Sequence, residues 1–307
     1  MHRASLEEIA GQHTCYAYYG SRKTLKTEVE ARAAFLAQQG EIAEEVIQKW
    51  YNRKDWDKDS GDFPDFVLVY ENTGAIGDGG IIELKDSGET SIASFNSTIP
   101  EKRKKLSELS PSVQTAVRWY QERINIPTPD DDVRDCFYIV RTKKGDKNSV
   151  RLSIVDGSFF STIPTQKLLE DLWRQVLQEA SLKPNTQCYK KALKCLSSLT
   201  RDEIAKVRRV EGASIKPRLR LMAEVEQEGN PHTYTEIGSR TVNLIFQYSE
   251  TGADGIAEPL VGMFVQDGVV AKVIKPDELE IGGFPVKLRY LQHKRNGRYT
   301  VIQAENR

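Results

Sequence analysis

Short apolar runs rich in β-branched and aromatic residues recur along the first half of the chain, at 65–70, 80–86, 136–140 and 150–155. Each is bounded by polar or Gly-rich residues, which predicts four strands. A helix-period stripe precedes them. Val29, Ala33, Leu36, Ala37, Ile42, Val46, Ile47 and Trp50 share a face from Thr27 to about Arg53, with Thr27 as N-cap, acidic residues in the first turn and Gly40 as a break. Residues 54–63 read as a polar connector, and part of 87–111 is expected to be helical. Val113, Ala116, Val117 and Tyr120 predict a further helix before the loop at 127–132. Strands interleaved with helices predict a mixed α/β core over residues 1–162.

Beyond Pro164 the pattern changes. Helices are predicted at 165–182, 186–198 and 200–210. Strands are predicted at Arg218–Val225, Thr241–Tyr248, Leu260–Val265, Val269–Ile274, Val286–Leu291 and Arg298–Gln303. The expectation is a second, α+β region over 163–307.

Composition narrows the functional classes. The 307 residues are 39% hydrophobic and 29% charged, ordinary for a globular protein. Basic and acidic residues balance at 44 each, which argues against a protein that coats nucleic acid without specificity, while leaving room for a basic face. Cys15, Cys136, Cys188 and Cys195 form no CxxC pair, and the four histidines show no paired spacing, so a zinc site is not expected. The thiols read as reduced, the N-terminus shows no signal core, and no stretch approaches a membrane span. A cytoplasmic protein without membrane association is the expectation.

The densest chemistry lies in residues 64–86. Pro64 and Asp65 open the first apolar run, a Gly-rich turn follows, and Glu83 and Lys85 sit in the second run. Alternation along a strand puts Glu83 and Lys85 on one face, with Ile82, Leu84 and Asp86 on the other. A hairpin would bring Asp65 towards that face. Two carboxylates and an ammonium around one point suit a hard divalent cation and a phosphodiester. An ordinary charged surface hairpin is the alternative reading, but charges among such apolar neighbours would be costly if unpaired. Asp62 is the nearest substitute for Asp65. Asp78 lies in the turn, too close along the chain to Glu83 to come from a separate strand.

Pro64-Asp65 followed by Glu83-Leu84-Lys85 resembles the signature of the PD-(D/E)XK nucleases, best known from type II restriction endonucleases. The resemblance covers residues 28–160. It implies a restriction-endonuclease-like core, a mixed central sheet flanked by helices. It also implies Mg²⁺ held by Asp65 and Glu83, with Lys85 holding or deprotonating the attacking water. It further implies a glutamate carried in from the preceding helix, for which Glu45 is the first candidate ahead of Glu41 and Glu44; a solvated helix face is the other reading. The implied activity is sequence-specific cleavage of double-stranded DNA to 5′-phosphates. The implied partners are a second copy of the chain and, within the same system, a DNA methyltransferase that protects host DNA.

Residues just after the Glu83 strand would lie beside bound DNA. Ser91, Ser94, Asn96, Ser97 and Thr98 are candidates for sugar or base contacts, and Lys102, Arg103, Lys104 and Lys105 for phosphates. Two weaker basic clusters occur at Arg141–Lys147 and among Lys287, Arg289, Lys294, Arg295 and Arg298. The Gly-rich turn at 74–80 lacks the Gly-Lys-Ser/Thr ending of a phosphate loop. A repair, mobile-element or modification-dependent nuclease remains open, as does a non-catalytic DNA-binding protein.

Overall fold

A computed structural model describes residues 15–19, 63–64, 66–70, 80–95, 99–109, 114, 118, 133–143, 150–160, 163–199, 223–247, 257–266 and 269–305. Among the described residues the fold is α/β, with one large mixed sheet and few helices.

Four strands occur where the apolar runs predict them: β2 (Phe66–Tyr70), β3 (Ile81–Ser87), β6 (Val133–Thr142) and β7 (Arg151–Asp156). β1 (Cys15–Tyr19) pairs antiparallel with β2, and β2 meets β3 antiparallel through Phe66 opposite Ile82. β3 then runs parallel to β6, and β6 antiparallel to β7. The 45 residues from 88 to 132 make the parallel β3–β6 pairing possible, since parallel neighbours need a long crossover.

Along β6 the even positions from Arg134 to Thr142 are buried, and the odd ones are exposed or half-buried. This alternation defines the inward face. The residues of β3 that register with it are Ile81, Glu83 and Lys85, opposite Cys136, Tyr138 and Val140.

The sheet continues across residue 162. β7 pairs in parallel with β9 (Thr241–Phe246), and β9 joins a C-terminal meander of β10 (Ala271–Lys275), β11 (Glu278–Ile281), β12 (Phe284–His293) and β13 (Gly297–Glu305). The order β1-β2-β3-β6-β7-β9-β13-β12-β11-β10 therefore unites both halves of the chain in one sheet. The crossover from β7 to β9 carries a helical hairpin, α1 (Thr165–Glu179) and α2 (Gln187–Ser197), as the helical periodicity predicts.

Two expectations are corrected. Residues 260–265 are not a strand but part of helix α3 (Ala257–Gln266). Read locally, Leu-Val-Gly-Met-Phe-Val looks strand-like. Extended back to Ala257, however, it gives Ala257, Leu260, Val261 and Phe264 at i, i+3, i+4 and i+7, a helical stripe. Pro259 sits in the first turn, where its missing N–H costs nothing. The stripe packs on Leu279, Ile281, Val286, Leu288 and Ile302 of the meander.

The second correction adds β11, which the sequence reading leaves unassigned. Gly282 and Gly283 link β11 to β12 with φ of 59° and 81°, the left-handed backbone that a tight two-residue hairpin demands. Part of 87–111 is expected to be helical, and Leu106–Glu108 within it forms a 3₁₀ turn. Just before it, Arg103–Lys105 forms β5, a short strand antiparallel to β6.

A chain of aromatic rings covers part of the sheet. Phe95, Tyr138 and Phe160 pack edge to face at centroid distances of 5.1–5.2 Å. Phe159 continues the chain to Tyr299 and His293. Phe95 belongs to β4 (Ser94–Phe95), which pairs with β8 (Ala223–Glu224). The segment after β3 is thereby tied to a segment more than a hundred residues later.

Candidate active site on the inward face of β3

Glu83 and Lys85 project from the same side of β3, as strand alternation predicts. Glu83 is only 4% exposed, and Leu84 between them points outwards. Lys85 Nζ donates to Glu83 Oε1 at 2.6 Å. The ammonium also lies 5.1 Å from the centroid of the Phe95 ring, a cation–π contact with the aromatic chain beneath the sheet. The Lys85 side chain keeps 14% of its exposure, so this end of the pair reaches solvent. Asp86, on the opposite face, is exposed. It takes a two-pronged contact from Arg141, and hydrogen bonding to that guanidinium holds its carboxyl below the usual range.

A second buried ion pair lies on the same face. Lys104 of β5 is buried, and its Nζ sits 2.5 Å from Glu101 Oε2 and 5.2 Å from the Phe63 ring centroid. Antiparallel pairing sets Lys104 beside Arg134, which is 1% exposed. Tyr138 separates the two pairs. Its backbone registers with Glu83, and its hydroxyl accepts a hydrogen bond from the Glu101 backbone N–H at 3.1 Å. Burial pushes the Tyr138 phenol well above its ordinary value, and the carboxylates of Glu83 and Glu101 push in the same direction. Burial also lifts the Cys136 thiol to about 12, which leaves it an inert neutral group.

Of the residues singled out from sequence, the fold brings Glu83 and Lys85 together. Asp65, Glu45, Asn96, Ser97 and Thr98 lie outside the described residues. Phe66, which follows Asp65, pairs with Ile82, which precedes Glu83. Ser91 and Ser94 are half-buried, with Ser94 in the β4–β8 ladder. Lys102, Arg103 and Lys105 are exposed, and Arg103 is paired with Asp135 at 2.6 Å. Lys104 stands apart from that basic run, because its ammonium is turned inwards onto Glu101.

Lys104 is among the candidate phosphate contacts read from the sequence, whereas Glu101, Arg134, Tyr138 and Phe95 are not. The placing of Lys104 and Phe95 depends on β5 and β4, three- and two-residue strands with no periodic signature. The alternation of 133–142 was the one available signal, since it puts Arg134 in line with Cys136 and Tyr138.

Among the described residues, no cluster of three or more His, Cys, Asp or Glu side chains surrounds a common point. Glu83 is a carboxylate of the kind that Mg²⁺ takes as a ligand, together with water and substrate phosphate. No helix among the described residues is long and apolar enough to cross a membrane. Comparison with known proteins finds no match: no family model fits the chain, and neither a curated protein nor a solved structure is similar to it.

Proposed function

We propose that the chain is a Mg²⁺-dependent endonuclease acting on double-stranded DNA, with a restriction-endonuclease-like core. The observation that carries this reading is the buried Glu83–Lys85 pair on one face of a strand in a mixed sheet, following Pro64-Asp65 at hairpin distance in sequence. A buried carboxylate–ammonium pair adds little stability over apolar residues, so a role in chemistry accounts for it better than folding does. Bound Mg²⁺ supplies Lewis acidity to the scissile phosphate and lowers the pKa of a coordinated water.

On this reading, Asp65 and Glu83 hold the cation. Lys85 hydrogen-bonds the attacking water and offsets charge that builds on the phosphate oxygens. The Phe95 ring beneath Lys85 keeps the ammonium on the inward side. Cleavage leaves 5′-phosphates. A homodimer on a palindromic site, a protective methyltransferase in the same system and a cytoplasmic setting complete the proposal.

The test is digestion of unmodified phage DNA in Mg²⁺ or EDTA. Wild type is compared with Asp65→Ala, Lys85→Ala and Lys85→Met, each first shown to be folded by circular dichroism. The expected result is discrete fragments from wild type in Mg²⁺ alone and none from the folded variants. Undiminished cutting by Asp65→Ala and Lys85→Met, or no cutting of any duplex by folded wild type, would overturn it.

A further inference from the structure

The basic clusters of the sheet are largely neutralised in place. Arg103 is held by Asp135, Arg141 by Asp86, Lys272 by Glu280 and Lys275 by Glu278. Lys294 and Arg295 are held by Glu228 and Glu226. Helix α2 breaks this rule. It carries Lys190, Lys191 and Lys194 and no acidic residue, whereas α1 carries Glu170, Asp171 and Glu179. All three lysines are exposed, and no ion pair to any of them occurs among the described residues.

The two faces of α2 separate cleanly. Tyr189 is buried and Ala192, Leu193 and Leu196 are half-buried on the side towards α1, where Gln166 donates to the Ser197 carbonyl at 3.0 Å. At about 100° per residue, Lys190, Lys194, Gln187, Lys191, Cys195 and Cys188 follow in that order around an outer arc of about 160°. Thr186 caps the helix by accepting from the Tyr189 N–H at 3.2 Å, which fixes where the lysine-bearing helix begins. A cationic helix face whose lysines have no acidic partner among the described residues complements a surface of closely spaced negative charge.

We propose that the outer face of α2 docks the phosphate backbone of double-stranded DNA, with Lys190, Lys191 and Lys194 each meeting a phosphate. The proposal rests on the reading above that duplex DNA is the substrate. It adds a contact surface on the crossover between β7 and β9. Specificity is not attributed to this face, because phosphate contacts set position and not sequence.

Binding of a fluorescein-labelled duplex is measured by anisotropy in EDTA over a range of salt concentrations, for wild type and for the Lys190→Ala/Lys191→Ala/Lys194→Ala variant. Three lost phosphate contacts should flatten the slope of log K against log salt by about 2.7. The exposed thiols of Cys188 and Cys195 offer a second readout in wild type. Bound duplex should slow their alkylation by maleimide several-fold, read by mass spectrometry.

A slope change below one together with unprotected thiols overturns the proposal, and so does protection by heparin without protection by duplex. The nuclease reading is judged separately. Cutting that persists with unchanged slope and labelling sinks only the α2 surface. Duplex binding through α2 by a wild type that never cuts sinks only the nuclease.

Discussion

Removing the charge of Lys85 tests the structure at its most exacting point. The Glu83 side chain is 5% exposed and lies 2.6 Å from Lys85 Nζ. Taking away one partner of a buried ion pair costs about 3–5 kcal/mol, because the remaining charge loses its compensation in a poorly solvating site. Lys85 keeps some exposure, so the lower end, about 3 kcal/mol, is expected for Lys85→Met, which retains the apolar stem over Phe95. Lys85→Ala also removes buried methylenes at about 0.8 kcal/mol each and should cost about 4–5 kcal/mol. Replacing both charges, as Lys85→Met/Glu83→Leu, should return stability to within about 1 kcal/mol of wild type.

The assay is urea denaturation followed by tryptophan fluorescence at pH 7. A loss below about 1 kcal/mol for Lys85→Met, with a coupling energy near zero in the double-mutant cycle, would mean that the pair is solvated. The inward face of β3 would then be no site at all.

Three further outcomes follow from the packing. His232 is 2% exposed and sits between the Thr142 and Ser153 hydroxyls at 2.7 and 2.8 Å, and burial, helped by the charge of Arg151, drives its pKa down to about 4. The unfolded chain therefore takes up a proton at His232 first, and about 3 kcal/mol of stability is lost as pH falls from 6.5 to 4; His232→Gln should flatten that part of a stability–pH curve by about one proton. A Cβ on Gly157 would lie 2.1 Å from the Glu101 carbonyl oxygen and 2.9 Å from that of Cys136, so Gly157→Ala should cost about 2–3 kcal/mol in urea and weaken whatever activity the Glu83 face has. Asn243 is fully buried, donating to the Leu152 carbonyl at 3.0 Å and accepting from Gln303 Nε2 at 2.9 Å; Asn243→Ala should lower stability by about 2–4 kcal/mol, and an unchanged melting temperature would refute the network.

Local periodicity carried a good deal of this protein. Strands β2, β3, β6 and β7, the α1–α2 hairpin and the shared face of Glu83 and Lys85 are all consequences of side-chain spacing along one segment, and spacing is written in the sequence. The segment 260–265 misled because its apolar run was read without Ala257, whose place in the stripe matters only once the meander is there to pack against it.

Other features were decided by tertiary structure. β5 turns Lys104 away from its basic neighbours and onto Glu101 because three residues pair with β6, a long-range register that no local pattern encodes. The sheet takes strands from both halves of the chain because β7 finds β9 after more than eighty intervening residues. Pairing energy depends on which strands meet, and side-chain period is silent about that. The sequence alone determined which residues could share a face, and only the assembled sheet decided which faces meet and which charges are buried between them.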